Sequence, residues 1–428
     1  MEGVTQFAQN ENKNRRIRAL GTAIAIKVLI LAGDTDGNLG DLAIVTATCE
    51  RLRKVHPGAQ ISILTSHPDR DSRRLGITPI RRGLRGIGSL LTTARRADLI
   101  ICGGGGLFQD DDSLLKMPYW AVRLACLRLV TRRIAGLSIG AGPLRYPVSR
   151  LFARLALSTL GPATVRDPLA LAVLQPLTRT RIRVVPDPAF ILKASPSRVA
   201  RQVLKDAGVP LDKPLVGVAV RRWFHTNSNF IPHTYAVKVG LNRNRGSAKM
   251  GEFSEYTATV LNDVVSQAGA HVLFMPTYNV RHENDTAVCA GIASKMPDGS
   301  STILNLDDPK LYKAVTGLLS VMLCGRMHPA ILAAGQGIPI VGLSYNQKFF
   351  GTFSMLGHGA RCLSMTEFVH NRETARLSAM LREAIRRPAD FTPDTAALQL
   401  VTSRFIEELV APPVVVRVTR PEPQTQHN

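Results

Sequence analysis

Short, unbroken apolar runs recur along the chain, each stopped by glycine, proline, aspartate or arginine. Longer stretches with apolar residues three and four apart lie between them. Runs at 26–31, 60–64, 98–102, 133–137 and 182–185, with a further strand end at Val165, predict buried strands in the first half. Runs at 215–220, 271–275, 320–324 and 338–343 predict them in the second. Helices are expected over 41–54, 253–268, 285–295 and 309–318. Buried strands alternating with helices build parallel sheets covered on both faces. The fold class is therefore α/β, with two Rossmann-like βαβ domains facing a cleft.

The expected organisation is an N-terminal extension over 1–25, a first domain over 26–195, and a second over 196–370, joined near 194–213. Helices are expected over 371–410, then a disordered tail over 411–428. The stretch 15–33 has the basic-then-apolar look of a signal peptide. Lys27 interrupts it and no cleavage site follows, so 26–31 is read as the first strand.

Charge changes the picture more than length does. The 428 residues carry a net charge of +22, which calls for an acidic partner: anionic lipid, an anionic substrate or nucleic acid. Nucleic acid is disfavoured, because no RRM, KH, zinc-finger or helix-turn-helix signature is present and aromatics are sparse. The six cysteines show no CxxC pair or zinc spacing, which fits reduced thiols in the cytoplasm. No uncharged apolar run is as long as a membrane span. From 113 to 186, Asp167 is the only acid among a dozen Lys and Arg. Arg123, Arg128, Arg132 and Arg133, and then Arg150 and Arg154, fall on amphipathic helices suited to an anionic membrane surface or a lipid diphosphate, or are simply solvated.

The candidate chemistry centres on 323–348. A strand ends in Gly325-Arg326-Met327-His328-Pro329, with Pro329 at the first position of a helix that Gly337 ends, and the next strand runs into Tyr345 and Lys348. Ligands of parallel sheets bind beyond the carboxyl ends of strands, where these four side chains emerge. Two cations, an imidazole and a phenol suit a small, multiply charged anion. No Asp or Glu lies between Asp308 and Glu367, so the carboxylate that a sugar nucleotide's ribose asks for is not expected here. Taken singly, Arg326 could cap a carbonyl and His328 could be a satisfied buried histidine.

Elsewhere, Gly37-Asn38-Leu39-Gly40-Asp41 turns a strand into a helix, and Gly103 to Gly106 imply close backbone approach or a mobile loop. Asp110, Asp111 and Asp112 read as an exposed acidic loop rather than a metal site, and Asp167 as a helix N-cap before Pro168. The polar stretch 224–249, which has no acid, reads as a lid or acceptor loop.

Together these residues resemble the polysaccharide pyruvyl transferase family. The resemblance rests on Gly37-Asn38-x-Gly40-Asp41, Gly103-Gly104-Gly105, Ser138-x-Gly140-x-Gly142-Pro143, Arg166-Asp167, Pro186-Asp187, the strand ending in Arg221, and Gly325-Arg326-Met327-His328. It implies the two-domain GT-B architecture, with an acceptor-side first domain and a donor-side second. It also implies transfer of pyruvate from phosphoenolpyruvate to a sugar or lipid-linked oligosaccharide as a ketal, during exopolysaccharide or cell-envelope glycan synthesis. Arg326 and His328 match the family's R-x-H motif, and Arg221, or Arg222 beside it, its second-domain arginine. Arg221, Arg326, Lys348 and Tyr345 are then expected on the donor. His328 is the expected acid or base, since only histidine titrates near neutral pH unaided. Asn38, Asp41, Gly104, Gly105 and Asp187 are the acceptor or loop candidates. No cofactor or metal is required. The protein is expected in the cytoplasm, at the inner face of the plasma membrane. A nucleotide-sugar glycosyltransferase, or a catalytically silent scaffold for glycan assembly, are the competing readings.

Overall fold

The computed structural model describes residues 25–411 apart from 34, 36, 112, 223–246 and 281–282. The N-terminal extension, the tail from 412, Asp112 and most of the 224–249 loop therefore lie outside the described residues. No described helix is long and apolar enough to cross a membrane.

Seven parallel strands form the first sheet. They are β1 (Lys27–Leu31), β2 (Gln60–Thr65), β3 (Thr78–Arg81), β4 (Leu99–Gly103), β5 (Ile134–Ile139), β6 (Ala163–Val165) and β7 (Arg183–Val184), in the order 3-2-1-4-5-6-7. The second half contributes β8 (Leu215–Ala219), β9 (His271–Phe274), the antiparallel pair β10 (Asn279–Val280) and β11 (Glu283–Asn284), β12 (Ser301–Ile303), β13 (Val321–Cys324), β14 (Ile340–Ser344) and β15 (Cys362–Ser364). Six of these make a parallel sheet ordered 12-9-8-13-14-15. The inner strands β4, β5, β8, β9, β13 and β14 are buried throughout, which is why their sequences show no polar alternation. Within the two large sheets, the strands that escaped the sequence pattern, β3, β12 and β15, all lie at sheet edges. Pro79 within β3 costs no ladder bond that an inner strand would need.

Each sheet reverses its strand order beside its first strand, between β1 and β4 and between β8 and β13. Loops leaving such a point splay apart and open a crevice. Ala219 of β8 pairs with Cys324 of β13. Arg221 and Arg326, each two residues further on, therefore leave the sheet at the same height.

The two halves are joined by an apolar interface. The helix Leu39–Val55 is buried along most of its length. Leu39, Ala43, Ile44 and Ala47 share one core with Phe190, Tyr312, Met327 and Ile331. Beside it the turn before this helix docks on the loop after β9: Leu39 N donates to Thr277 O (3.1 Å) and Asn279 N to Gly37 O (3.1 Å). Lys313 is buried in this interface, donating to Phe190 O at 2.9 Å, and burial pushes its ammonium down to about 8. After the second sheet, Thr374–Arg386 packs on the second domain through Leu377 and Leu381. The last helix, Ala396–Val410, crosses back, burying Phe405, Ile406 and Leu409 with Val28 and Ile30 of β1.

Candidate active site

Arg221 and Arg326 meet at one carboxylate. Arg221 donates from Nη2 to Glu283 Oε1 at 3.0 Å, and Arg326 Nη2 donates to the other oxygen of the same group. Arg326 also grips Asp285 with two bonds, 3.0 Å from Nε and 2.6 Å from Nη2. A fork of this kind is the strongest ion-pair geometry a protein offers. Each guanidinium lies over an aromatic ring, Arg221 over Tyr345 at 4.2 Å and Arg326 over Tyr278 at 5.2 Å. The neighbouring Arg222 supplies its carbonyl to Arg221 Nε at 3.1 Å.

The two carboxylates correct the expectation that none would be offered here. They come from the loop after β9, which folds over the crevice as β10 and β11 and ends at Asp285, the first residue of a helix. Asp285 is fully buried and also accepts from Tyr278 N at 3.0 Å. Burial pushes its carboxyl upward, and Arg326 opposes that shift. Although burial disfavours the Arg326 charge, Asp285 and Glu283 hold the guanidinium above its ordinary value. With Arg221, the four groups are formally neutral.

His328 follows on the helix Met327–Ala334, whose N-cap is Arg326. The helix starts two residues before the expected Pro329 and ends at Ala334 before the expected Gly337, and proline costs nothing in a first turn whose N–H groups lack partners. The imidazole crosses to the first domain and lies flat against Gly40: a methyl carbon added there would sit 2.0 Å from Nδ1. Its far nitrogen, Nε2, faces Asp187 Oδ2 at 3.7 Å. That is too long for a hydrogen bond, and both atoms are buried without another partner. His328 is thus not a satisfied core histidine. Burial raises the Asp187 carboxyl, but His328 and Arg166 more than reverse this and hold it below the ordinary carboxylate value.

On the first-domain side Asn38 caps its helix, Oδ1 accepting from Gly40 N at 3.1 Å, and its Nδ2 donates to Asp41 Oδ2 at 2.9 Å. Asp41 fits between glycines: a Cβ on Gly105 would lie 2.7 Å from Oδ1. Gly104 and Gly105 have φ of +80° and +81°, which side chains resist. Asp167 caps its helix as expected, accepting from Ala170 N at 2.7 Å, and pairs with Arg166 at 3.2 Å.

One sequence expectation needs revision. Asp110 is not exposed: it is fully buried, and its Oδ2 accepts from Arg145 N at 2.8 Å and Tyr146 N at 3.1 Å, tying the β4 loop to the β5 loop. Lys348, expected on the donor, has first-domain partners as well. It reaches across to Gln109 and to Asp111 Oδ2 (3.5 Å) of the first domain. Glu283, Asp285 and Tyr278 were missed, although they lie in the loop after the carboxyl end of a recognised strand.

A family model described as polysaccharide pyruvyl transferase matches residues 38–347, well over half of the chain. The chain belongs to the polysaccharide pyruvyl transferase family. The matched span takes in Asn38, Asp187, Arg221, Glu283, Arg326 and His328 of the site above. No curated protein matches this family member in sequence. Among solved structures, it is similar to the UDP-GlcNAc 2-epimerase from Methanocaldococcus jannaschii, at 8% identity and a TM-score of 0.58 over 90% of this chain and 99% of that one. A putative UDP-N-acetylglucosamine 2-epimerase from Listeria monocytogenes gives 13% identity and a TM-score of 0.51 over 89% and 95%. A glycosyltransferase from Rickettsia africae gives 9% and 0.50 over 90% and 99%. These similarities establish the fold, the two Rossmann-like domains of GT-B glycosyltransferases and epimerases.

Proposed function

We propose that the chain transfers pyruvate from phosphoenolpyruvate to a pair of hydroxyls on a saccharide as a ketal, during exopolysaccharide or cell-envelope glycan synthesis. The observation that carries the reading is the convergence of Arg221 and Arg326 on one carboxylate, Glu283. Phosphoenolpyruvate brings a carboxylate and a phosphate, and one of these takes the place of Glu283 between the guanidiniums while Asp285 keeps Arg326 aimed. Lys348 and the start of the Met327–Ala334 helix add positive charge to the rim.

His328 delivers a proton to the methylene carbon C3, leaving an oxocarbenium-like centre at C2. One sugar hydroxyl adds to C2 and loses its proton. The C2–O bond to phosphate then breaks, and the second hydroxyl adds and loses its proton. The products are a methyl-bearing ketal and hydrogen phosphate. Asp187, kept anionic, faces Nε2 of His328, and Asp41 orients a sugar hydroxyl from the first domain. The basic helices of the first domain are the reason to place the reaction in the cytoplasm, at the inner face of the plasma membrane, with a free or lipid-linked glycan as acceptor.

The test is mass spectrometry of the glycan product after incubation with phosphoenolpyruvate. A pyruvate ketal should form with the wild type and vanish with His328→Ala. Unchanged ketal content in that variant would remove His328 from the chemistry. A second reading is favoured by Glu283 and Asp285, which supply the carboxylate that a nucleotide sugar asks for. Calorimetry separates the two: binding of UDP or GDP sugars without binding of phosphoenolpyruvate selects the glycosyltransferase.

A further inference from the structure

The helix Lys116–Val130 is apolar on both sides, yet only one side is covered. Met117, Trp120, Ala121, Leu124 and Leu127 face the core. Leu115, Tyr119, Val122, Cys126 and Leu129, spaced four and three apart, form an exposed stripe on the opposite side. A helix that is hydrophobic all round is normally buried all round. The neighbouring helix Pro147–Thr159, packed against it, repeats the pattern with exposed Val148, Leu151 and Leu155. On its other flank Ile87–Arg96 adds Ile87 and Leu91. Of the sixteen large apolar side chains exposed among the described residues, eleven lie between Leu84 and Leu155. Patches of this extent mark contact surfaces.

Charge identifies the occupant. From Ser113 through Arg166 the chain carries nine Lys and Arg and no Asp or Glu. Arg128, Arg132, Arg145, Arg150 and Arg154 are exposed around the apolar stripes. A second copy of the same face would set arginine against arginine. An apolar stripe fringed with basic side chains instead matches the acyl boundary and headgroups of an anionic bilayer.

We infer that these three helices form a membrane-docking face that seats the first domain on anionic lipid. This sharpens the membrane partner named above and does not depend on the reaction, since a glycosyltransferase would dock in the same way. The face reaches the cleft. Leu115 and Tyr146 open the two longer helices where Asp110 ties the β4 and β5 loops together. A lipid-linked sugar therefore enters the site from the plane of the bilayer.

Sedimentation of the full chain with vesicles tests this. Binding to phosphatidylcholine containing about one quarter phosphatidylglycerol should exceed binding to phosphatidylcholine alone by about tenfold or more. A residual fraction should survive about 0.5 M salt, where surface charge is screened. Leu129 and Leu151 are 87% and 63% exposed, so replacing them should leave the melting curve unchanged. Leu129→Ser with Leu151→Ser should remove the salt-resistant fraction, and Arg150→Gln with Arg154→Gln the salt-sensitive one. Three results would overturn the inference: no sedimentation with either vesicle, wild-type sedimentation by the leucine variant, or a dimer in analytical ultracentrifugation that the leucine variant splits.

Discussion

Gly40→Ala tests whether His328 works from the position it holds. Gly40 is the second residue of the helix Leu39–Val55, and its added carbon would fall 2.0 Å from Nδ1 and 2.3 Å from Cγ of His328. Ordinary contact needs about 3.5 Å, so the ring must retreat by about 1.5 Å. The opposite edge faces Asp187 at 3.7 Å. It can close on that carboxylate by only about 0.9 Å before reaching hydrogen-bond distance. The imidazole must therefore swing out of line, and displacement of about 1 Å at a reacting group costs roughly a hundredfold in rate. Folding should survive, because alanine improves helix propensity by about 1 kcal/mol against an overpacking cost of about 1–3 kcal/mol. The assay is phosphoenolpyruvate-dependent phosphate release with a glycan acceptor. We expect kcat to fall about a hundredfold with KM for phosphoenolpyruvate nearly unchanged, since neither arginine is touched. Gly251→Ala, where nothing lies within 4 Å of the new carbon, should behave as wild type. Turnover of Gly40→Ala within about threefold of the wild type would refute the placement of His328.

Two further outcomes follow from the buried charges. Glu283→Ala removes the carboxylate shared by Arg221 and Arg326, and KM for phosphoenolpyruvate should fall about tenfold as the competing anion is lost. A raised KM would mean that Glu283 positions the arginines rather than holding the donor's place. Lys313 falls on folding from 10.5 to about 8, so between those values the unfolded chain binds the extra proton and the residue's contribution to stability rises with pH. Below about pH 8 the buried ammonium costs roughly 3 kcal/mol, less about 1 kcal/mol for its bond to Phe190 O. Lys313→Met should be the more stable protein at pH 7, with the advantage shrinking toward pH 10.5. Denaturant melts of both proteins across that range check it, and a constant difference refutes it.

What could be read from the chain followed from local physics. Inner strands such as β4 and β13 declare themselves because both faces are buried, and the edge strands β3, β12 and β15 do not. Arg326 and His328 were legible because they leave a buried strand at its carboxyl end. The carboxylates that meet Arg326 were not, because Thr277 and Asn279, which lead toward them, are placed by docking on Leu39 and Gly37, far away in sequence. For the same reason Gly40 read only as part of a turn, when its missing side chain makes room for an imidazole from the other domain. The basic residues of 116–154 were visible as charge. Which side of each helix stayed uncovered depended on what packed behind it.

The stitch between the Gly37–Leu39 turn and the loop after β9, with His328 laid on Gly40, also bears on how such proteins can be recombined. The two halves of this chain are not interchangeable cassettes. A hybrid that takes its second half from a relative must inherit the matching glycine-bearing turn as well, or the borrowed histidine arrives with nowhere to lie.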